Sequence, residues 1–157
     1  MHVIRLKTSY ASSAGPLHQW EYAMDYEVYL YGMENTVPGI VETLKRVKSD
    51  TAQVIRRMPD LVVQHRQTKK VHFIEVKFRA DGHFNYEGLK GNYPYPNAYV
   101  ILVSKKHFKC LSVKELHANQ CFTPDCGNYL GNQTEFDLDR DLIIKYCQFA
   151  VQLFQNV

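Results

Sequence analysis

One aspartate and one glutamate stand inside a stretch that otherwise reads as two buried strands, RRMPDLVVQHRQTKKVHFIEVKFR, residues 56–79. Side chains of an extended strand alternate between faces, so Glu75, Lys77 and Arg79 share one face while Ile74, Val76 and Phe78 share the other. An ionised carboxylate on a packed sheet needs a partner, and Lys77, two residues along, reaches the same site. Asp60 heads the preceding strand-like run. If the two runs are sheet neighbours, the two carboxylates meet at one end, where they repel unless a cation lies between them. A hard divalent ion such as Mg²⁺ suits a site built only of oxygens.

The elements that must position these residues are read from periodicity. Residues 2–7 (HVIRLK) suit a short strand, after which SSAGP breaks the chain. Residues 17–31 read two ways. With period two, Trp20, Tyr22, Met24, Tyr26, Val28 and Leu30 share a face, as in a half-buried strand. As a helix, Trp20, Met24, Glu27 and Tyr31 form a stripe, with Pro16 near its start and Gly32 as a C-cap. Pro38 opens a helix to about Lys48 on the spacing of Ile40, Leu44 and Val47, and Ser49-Asp50 closes it.

Three strand-like runs follow, residues 51–56, 61–65 and 71–79, the last two separated by the polar stretch Arg66 to Lys70. Residues 81–97, rich in Gly, Asn, Tyr and Pro, have no assigned element. AYVILVS, residues 98–104, reads as a fully buried central strand. Leu138, Leu142, Tyr146, Phe149 and Leu153 mark a final amphipathic helix whose start is acidic, with Asp137, Asp139 and Asp141 complementing the dipole. The expected class is α/β, a mixed sheet with helical cover.

A length of 157 residues with 45% hydrophobic side chains describes one domain, residues 1–157, able to bury a core. No apolar run approaches the roughly 18 residues that cross a bilayer, and MHVIRLKTSY lacks the apolar stretch of a secretory signal. An intracellular place, cytoplasm or nucleoid, is expected, with no membrane partner and no secretion. A formal charge of +3 permits a polyanionic partner without indicating one. Arg56, Arg57, Lys69, Lys70, Arg79, Lys105, Lys106 and Lys109 cluster around the expected strands, as a phosphate-binding surface does. Phe84, Tyr86, Tyr93 and Tyr95 are candidates for stacking on bases.

Met58-Pro59-Asp60, an apolar run, and then Phe73-Ile74-Glu75-Val76-Lys77 resemble the PD-(D/E)XK nuclease superfamily, the restriction-endonuclease-like proteins. The shared pattern is Pro-Asp, a spacer, then acid-any-Lys on the next strand. Pro124-Asp125, by contrast, has no acid-any-Lys after it. The resemblance covers roughly residues 38–104. It implies a restriction-endonuclease-like core, a mixed central sheet of about four strands flanked by helices, with N-terminal and C-terminal additions.

The resemblance also implies a Mg²⁺-dependent endonuclease hydrolysing DNA phosphodiester bonds, with Mn²⁺ able to substitute. Asp60 and Glu75 would each give the ion an oxygen, with the backbone carbonyl of Val76 as third ligand. Lys77 would hold the attacking water and stabilise charge building on phosphorus. Members that cut usually carry a further acid on the helix before the first core strand. Glu42 is correctly placed in chain order but points away from Ile40, Leu44 and Val47; Glu27 is the alternative if residues 17–31 are helical. Arg56, Arg57, Arg79, Lys105 and Lys106 are the expected nucleic-acid contacts.

DNA is the expected partner and RNA the open alternative. Sequence-dependent and structure-dependent cutting both stay open, with the lack of a separate recognition domain leaning toward the latter, and a homodimer is expected because one site cuts one strand. The competing reading is a noncatalytic nucleic-acid-binding or assembly protein that keeps the fold, which loss of the helix acid would explain.

All four cysteines, Cys110, Cys121, Cys126 and Cys147, lie in the last third and read as thiols or metal ligands before disulfides. Cys110, His117, Cys121 and Cys126 have a composition zinc accepts, but no pair has the short spacing of a zinc knuckle, so zinc is not expected. The phosphate-cradling GxxxxGK, the GxSxG elbow and GxGxxG are all absent from the sequence.

Overall fold

The computed structural model describes residues 25–33, 39, 41–44 and 46–155, without the side chains at 41, 42, 149, 150 and 152–155. The expected strand at 2–7, most of the ambiguous segment 17–31 and Pro38 lie outside the described residues. Within them, five strands form one sheet in sequence order: β1 Tyr26–Leu30, β2 Leu61–His65, β3 Val71–Phe78, β4 Tyr99–Val103 and β5 Phe108–Ser112. β3 and β4 are parallel and the other neighbours antiparallel, so the sheet is mixed. The α/β expectation holds, with five strands among the described residues rather than about four.

Alternation places the core on both faces of the sheet. Ile74 and Val76 of β3 join Leu61, Val63, Cys110 and Phe136 on one face. On the other, Phe73 packs against Val100, Leu102, Leu111 and Phe122. β4 lies inside the sheet between β3 and β5, with Val100 and Leu102 wholly buried, but Tyr99 and Ile101 on its other face are only partly buried, which corrects the expectation of a fully buried central strand. β2 and β3 are joined by a turn in which Lys69 has φ 58. The ambiguous segment resolves as strand over Tyr26–Leu30, where Tyr26, Val28 and Leu30 face the Ile74 side.

Two expectations N-terminal to β2 are corrected. The described helix in the 38–48 region is one short turn, α1 Val41–Leu44. Residues 51–56 are not a strand but lie in a second helix, α2 Asp50–Arg56. Ser49-Asp50 begins that helix rather than closing the one before. The Ser49 hydroxyl accepts the Ala52 amide at 3.2 Å, Asp50 favours the positive end of the dipole, and Ala52 is buried. Val54 and Ile55 give the segment its strand-like look, but a side-chain cap satisfying an orphan amide outweighs that weak preference. The helix ends just before Met58, because the residue ahead of a proline avoids helical backbone. The chain then enters β2 extended, and Asp60 stands at its mouth.

The parallel pairing of β3 with β4 requires a long crossover, supplied by residues 79–98 with a 3-10 turn at Tyr86–Leu89. The Asn85 side chain caps that turn by accepting the Gly88 amide at 3.3 Å. A Cβ on Gly88 would come within 2.5 Å of the Phe84 ring, so the turn lies flat on that ring. Between β4 and the final helix, where the sequence analysis assigns no element, β5 and a short helix α3 Val113–His117 follow. Ser112 and Glu115 form a capping box at the start of α3. The final helix, α4 Arg140–Gln155, is where its apolar period places it, and Asp139 Oδ1 accepts the amides of Asp141 at 2.8 Å and Leu142 at 3.1 Å.

His72 on β3 makes an acid-sensitive point in this core. Its ring centroid lies 5.0 Å from that of Phe136 and 5.6 Å from that of Tyr99, and its buried Nε2 has no hydrogen-bond partner among the described residues. Burial pushes its pKa below the usual 6.5, by more than the Glu135 charge raises it. The unfolded chain therefore takes up a proton here at a higher pH than the folded one. This contribution to stability is full above about 6.5 and is lost as pH falls toward the depressed folded value. The melting temperature is expected to drop between about pH 7.5 and pH 5.5, and His72→Phe to flatten that slope. An unchanged slope in His72→Phe assigns the acid sensitivity to other groups.

Candidate active site

The β2–β3 register pairs Leu61 with Ile74. Carried one residue further, it sets Asp60 opposite Glu75, and directly opposed residues share a face. Asp60 is anchored through both backbone and side chain: its carbonyl accepts the amides of Tyr31 at 2.9 Å and Gly32 at 3.2 Å, and its Oδ2 accepts the Val76 amide at 2.7 Å. Glu75 is 8% exposed. Lys77 donates to Glu75 Oε1 in a salt bridge, and the Tyr93 hydroxyl donates to Oε2 at 3.1 Å. The repulsion expected between the two acids is thus partly offset within the chain, by an ammonium and a hydroxyl on one and an amide on the other.

Val76 supplies a third oxygen at the same place. The register carried two residues past Leu61 puts Pro59 across from Val76, and proline has no N–H to donate. Strand alternation turns the amide and carbonyl of one residue to the same edge, and the Val76 amide already points at Asp60. The Val76 carbonyl therefore faces the same edge where the β2 ladder has stopped. Two carboxylates and one carbonyl at a strand end make an all-oxygen donor set of the kind Mg²⁺ takes, since Mg²⁺ keeps several waters and needs only one or two carboxylates.

Asp60, Glu75 and Lys77 open into a cavity of about 710 Å³, whose walls also include Lys48, Gln53, Lys90 and Tyr93. Burial, then the Glu75 charge, holds the Tyr93 hydroxyl well above the usual tyrosine range, so it stays a donor. Arg57 secures the wall that carries Tyr93. Its guanidinium donates to the carbonyls of Leu89 at 2.6 Å, Asn92 at 2.7 Å and Gly91 at 3.3 Å, and lies 5.4 Å from the Tyr93 ring centroid.

The other expected site residues are dispersed. Glu42 lies in α1, and its side chain is outside the described residues. Glu27 is on a strand, not the helix its candidacy required. It pairs with Gln64, which pairs with Val71, four residues before Glu75 on β3 or about 13 Å along the strand. Its carboxylate accepts the Tyr29 hydroxyl at 2.8 Å.

Arg56 and Arg57 line the cavity, but their guanidinium groups are engaged with backbone carbonyls, those of Leu44 and Val47 in the case of Arg56. Arg79 donates to the Phe78 carbonyl at 2.9 Å and lies over Phe84 at 5.7 Å. Lys105 and Lys106 occupy the β4–β5 turn, and Lys69 and Lys70 the β2–β3 turn, none of them lining the cavity. Lys109 is buried. Phe84 and Tyr93 are core residues rather than exposed stacking platforms.

Lys48, Gln53 and Lys90 were not singled out by sequence reasoning. Lys90 had one local signal, the Lys-Gly pair after a short capped turn, where it takes φ 59 as the left-handed cap.

The cysteines do not assemble a centre. Cys110 is wholly buried, which pushes its thiol pKa up, whereas Cys121 is exposed. At Cys126 burial raises the pKa, but the amides of Thr123 and Asn128 and the Lys109 ammonium outweigh it and the net shift is downward. His117 packs edge-on against Tyr86 at 4.8 Å. Among the described residues no three His, Cys, Asp or Glu side chains gather as a metal group. No protein-family model matches the chain, and no curated protein matches it.

Proposed function

We propose that this chain is a Mg²⁺-dependent endonuclease of PD-(D/E)XK type that hydrolyses DNA phosphodiester bonds. The observation that carries the reading is the setting of Asp60 opposite Glu75 at the end of β2 and β3, with Lys77 on the same face and a cavity in front of them. The nearness of the Pro-Asp pair to the Glu-Val-Lys stretch across β2 and β3 supports this reading. Asp60, Glu75 and the Val76 carbonyl would hold the ion, which when bound polarises the scissile phosphate and lowers the pKa of a coordinated water. Lys77, released from Glu75, holds the attacking water and offsets charge building on the phosphate oxygens. Lys48 and Lys90 on the cavity rim face the flanking phosphates of the strand.

Plasmid, branched and single-stranded DNA incubated with the protein and Mg²⁺ or Mn²⁺ test the reading. Cleavage is expected, and the substrate that is cut fastest shows whether the enzyme reads DNA structure or sequence. Cutting of both strands of a duplex requires two copies of the site and so a homodimer. Cleavage confined to RNA changes the substrate, and binding without cleavage by any metal supports the noncatalytic reading instead.

A further inference from the structure

Both oxygens of Glu75 are held, by donors of different kinds. Lys77 reaches Oε1 on a flexible stem, and its side chain is 26% exposed. Tyr93, which holds Oε2, is 5% exposed, and its ring is fixed from several sides. The Arg57 guanidinium lies over it, Tyr95 packs at 5.8 Å between centroids, and the Tyr93 amide donates to the Tyr86 hydroxyl at 3.3 Å. Arg57 leaves α2 just before Met58-Pro59-Asp60 and grips the carbonyls of Leu89, Gly91 and Asn92. The Asp60 approach and the Tyr93 segment are therefore tied into one strut. A cation binding Glu75 would compete with the more exposed Lys77 ammonium for Oε1, while the buried Tyr93 hydroxyl would keep its hold on Oε2.

We propose that Tyr93 restricts Glu75 to one metal-binding oxygen and thereby makes the site select small octahedral cations, Mg²⁺ and Mn²⁺, over Ca²⁺. This rests on the metal-site reading of Asp60 and Glu75 given above. Ca²⁺ takes about six to eight oxygens in flexible geometry and often grips a carboxylate by both. Mg²⁺ demands a near-ideal octahedron, keeps its waters and needs one oxygen per carboxylate. A hydroxyl fixed on Oε2 takes one of that oxygen's lone pairs and so weakens two-oxygen chelation of Ca²⁺ more than one-oxygen binding of the smaller ions. The Val76 amide on Asp60 Oδ2 works in the same direction.

Calorimetric titration of metal-free protein with MnCl₂ and with CaCl₂ reads the selectivity without any cleavage. Tyr93→Phe keeps the ring, its stacking and its burial and removes only the hydroxyl. It is expected to lower the ratio of the Ca²⁺ to the Mn²⁺ dissociation constant by about tenfold, the worth of one hydrogen bond to a charged group. Arg57→Gln, which leaves Tyr93 in place but frees its segment, is expected to shift the ratio the same way by less.

An unchanged ratio in Tyr93→Phe overturns the proposal, as does an equal loss of both affinities with a lowered melting temperature, the mark of a merely structural role. If Asp60→Ala abolishes Mn²⁺ binding while Tyr93→Phe keeps the ratio, the metal site stands and only the role of Tyr93 falls. If folded wild-type protein binds neither ion, both fall together.

Discussion

Asp60→Asn is expected to reduce metal-dependent cleavage by about a thousandfold or more while the protein stays folded. The loss corresponds to roughly 4 kcal/mol of transition-state stabilisation, the scale on which a bound cation acts at a phosphoryl group. The fold survives because of what Asp60 does in it. The asparagine carbonyl can still accept the Val76 amide that Asp60 Oδ2 accepts at 2.7 Å, and the two backbone bonds from Tyr31 and Gly32 are untouched. One charge-assisted bond becomes neutral, while repulsion toward Glu75 is relieved. These oppose each other, so stability without metal should move by no more than about 1 kcal/mol in either direction. Glu75→Gln should cost similar activity. Measuring initial cleavage rates beside urea unfolding separates the two quantities. A variant that cuts at wild-type rate removes Asp60 from the chemistry, and one that unfolds makes it a structural cap.

Lys109→Ala should produce the largest loss of stability of any substitution considered, about 3 kcal/mol or more. Lys109 is on β5, the last strand in the sheet order, and is 2% exposed, where a buried strand position ordinarily carries an apolar side chain. Its ammonium donates to the carbonyls of Thr123 at 2.5 Å, Pro124 at 2.8 Å and Cys126 at 2.8 Å, and stands 5.3 Å from the Tyr129 ring centroid. An ammonium has three donors, and here three carbonyls take them. The charge thus replaces a backbone partner for a loop that has no ladder of its own at those positions. Removing it strands several acceptors at once and leaves a void. Lys109→Met separates the two causes, since methionine refills much of the volume and satisfies no carbonyl. Most of the loss, read as the shift in urea midpoint at constant m, should therefore remain in Lys109→Met. Full recovery in that variant would make packing, not hydrogen bonding, the role of the lysine.

Lys109 also shows where reading from sequence stops. The charge at the second position of FKCLS hid β5, because a lysine in a short apolar run reads as an interruption and its carbonyl partners lie at residues 123–126. Ser112 and Glu115 spell a capping box that marks α3, a signal present in the sequence but not used. The segment at 50–56 went the other way, with β-branched side chains suggesting a strand while the Ser49 cap made a helix. Arg56 and Arg57 looked like phosphate ligands by charge alone. Only the approach of the Leu44, Val47 and Leu89–Asn92 carbonyls turned them into struts.

What the sequence by itself determined is what depends on neighbouring residues. Alternation puts Glu75 and Lys77 on one face because successive side chains of a strand must point oppositely, and a continuous apolar run places β4 inside the sheet, with a strand on each side and apolar packing against both faces. The tertiary structure decided what stands across from those side chains. A proline that ends α2 also ends the β2 ladder and leaves the Val76 carbonyl at the site, and a parallel crossover brings Tyr93 to Glu75 from eighteen positions away. Local geometry is set by covalent sterics and is legible residue by residue. Contacts across a crossover are set by how two faces of a sheet pack, which short-range periodicity does not encode.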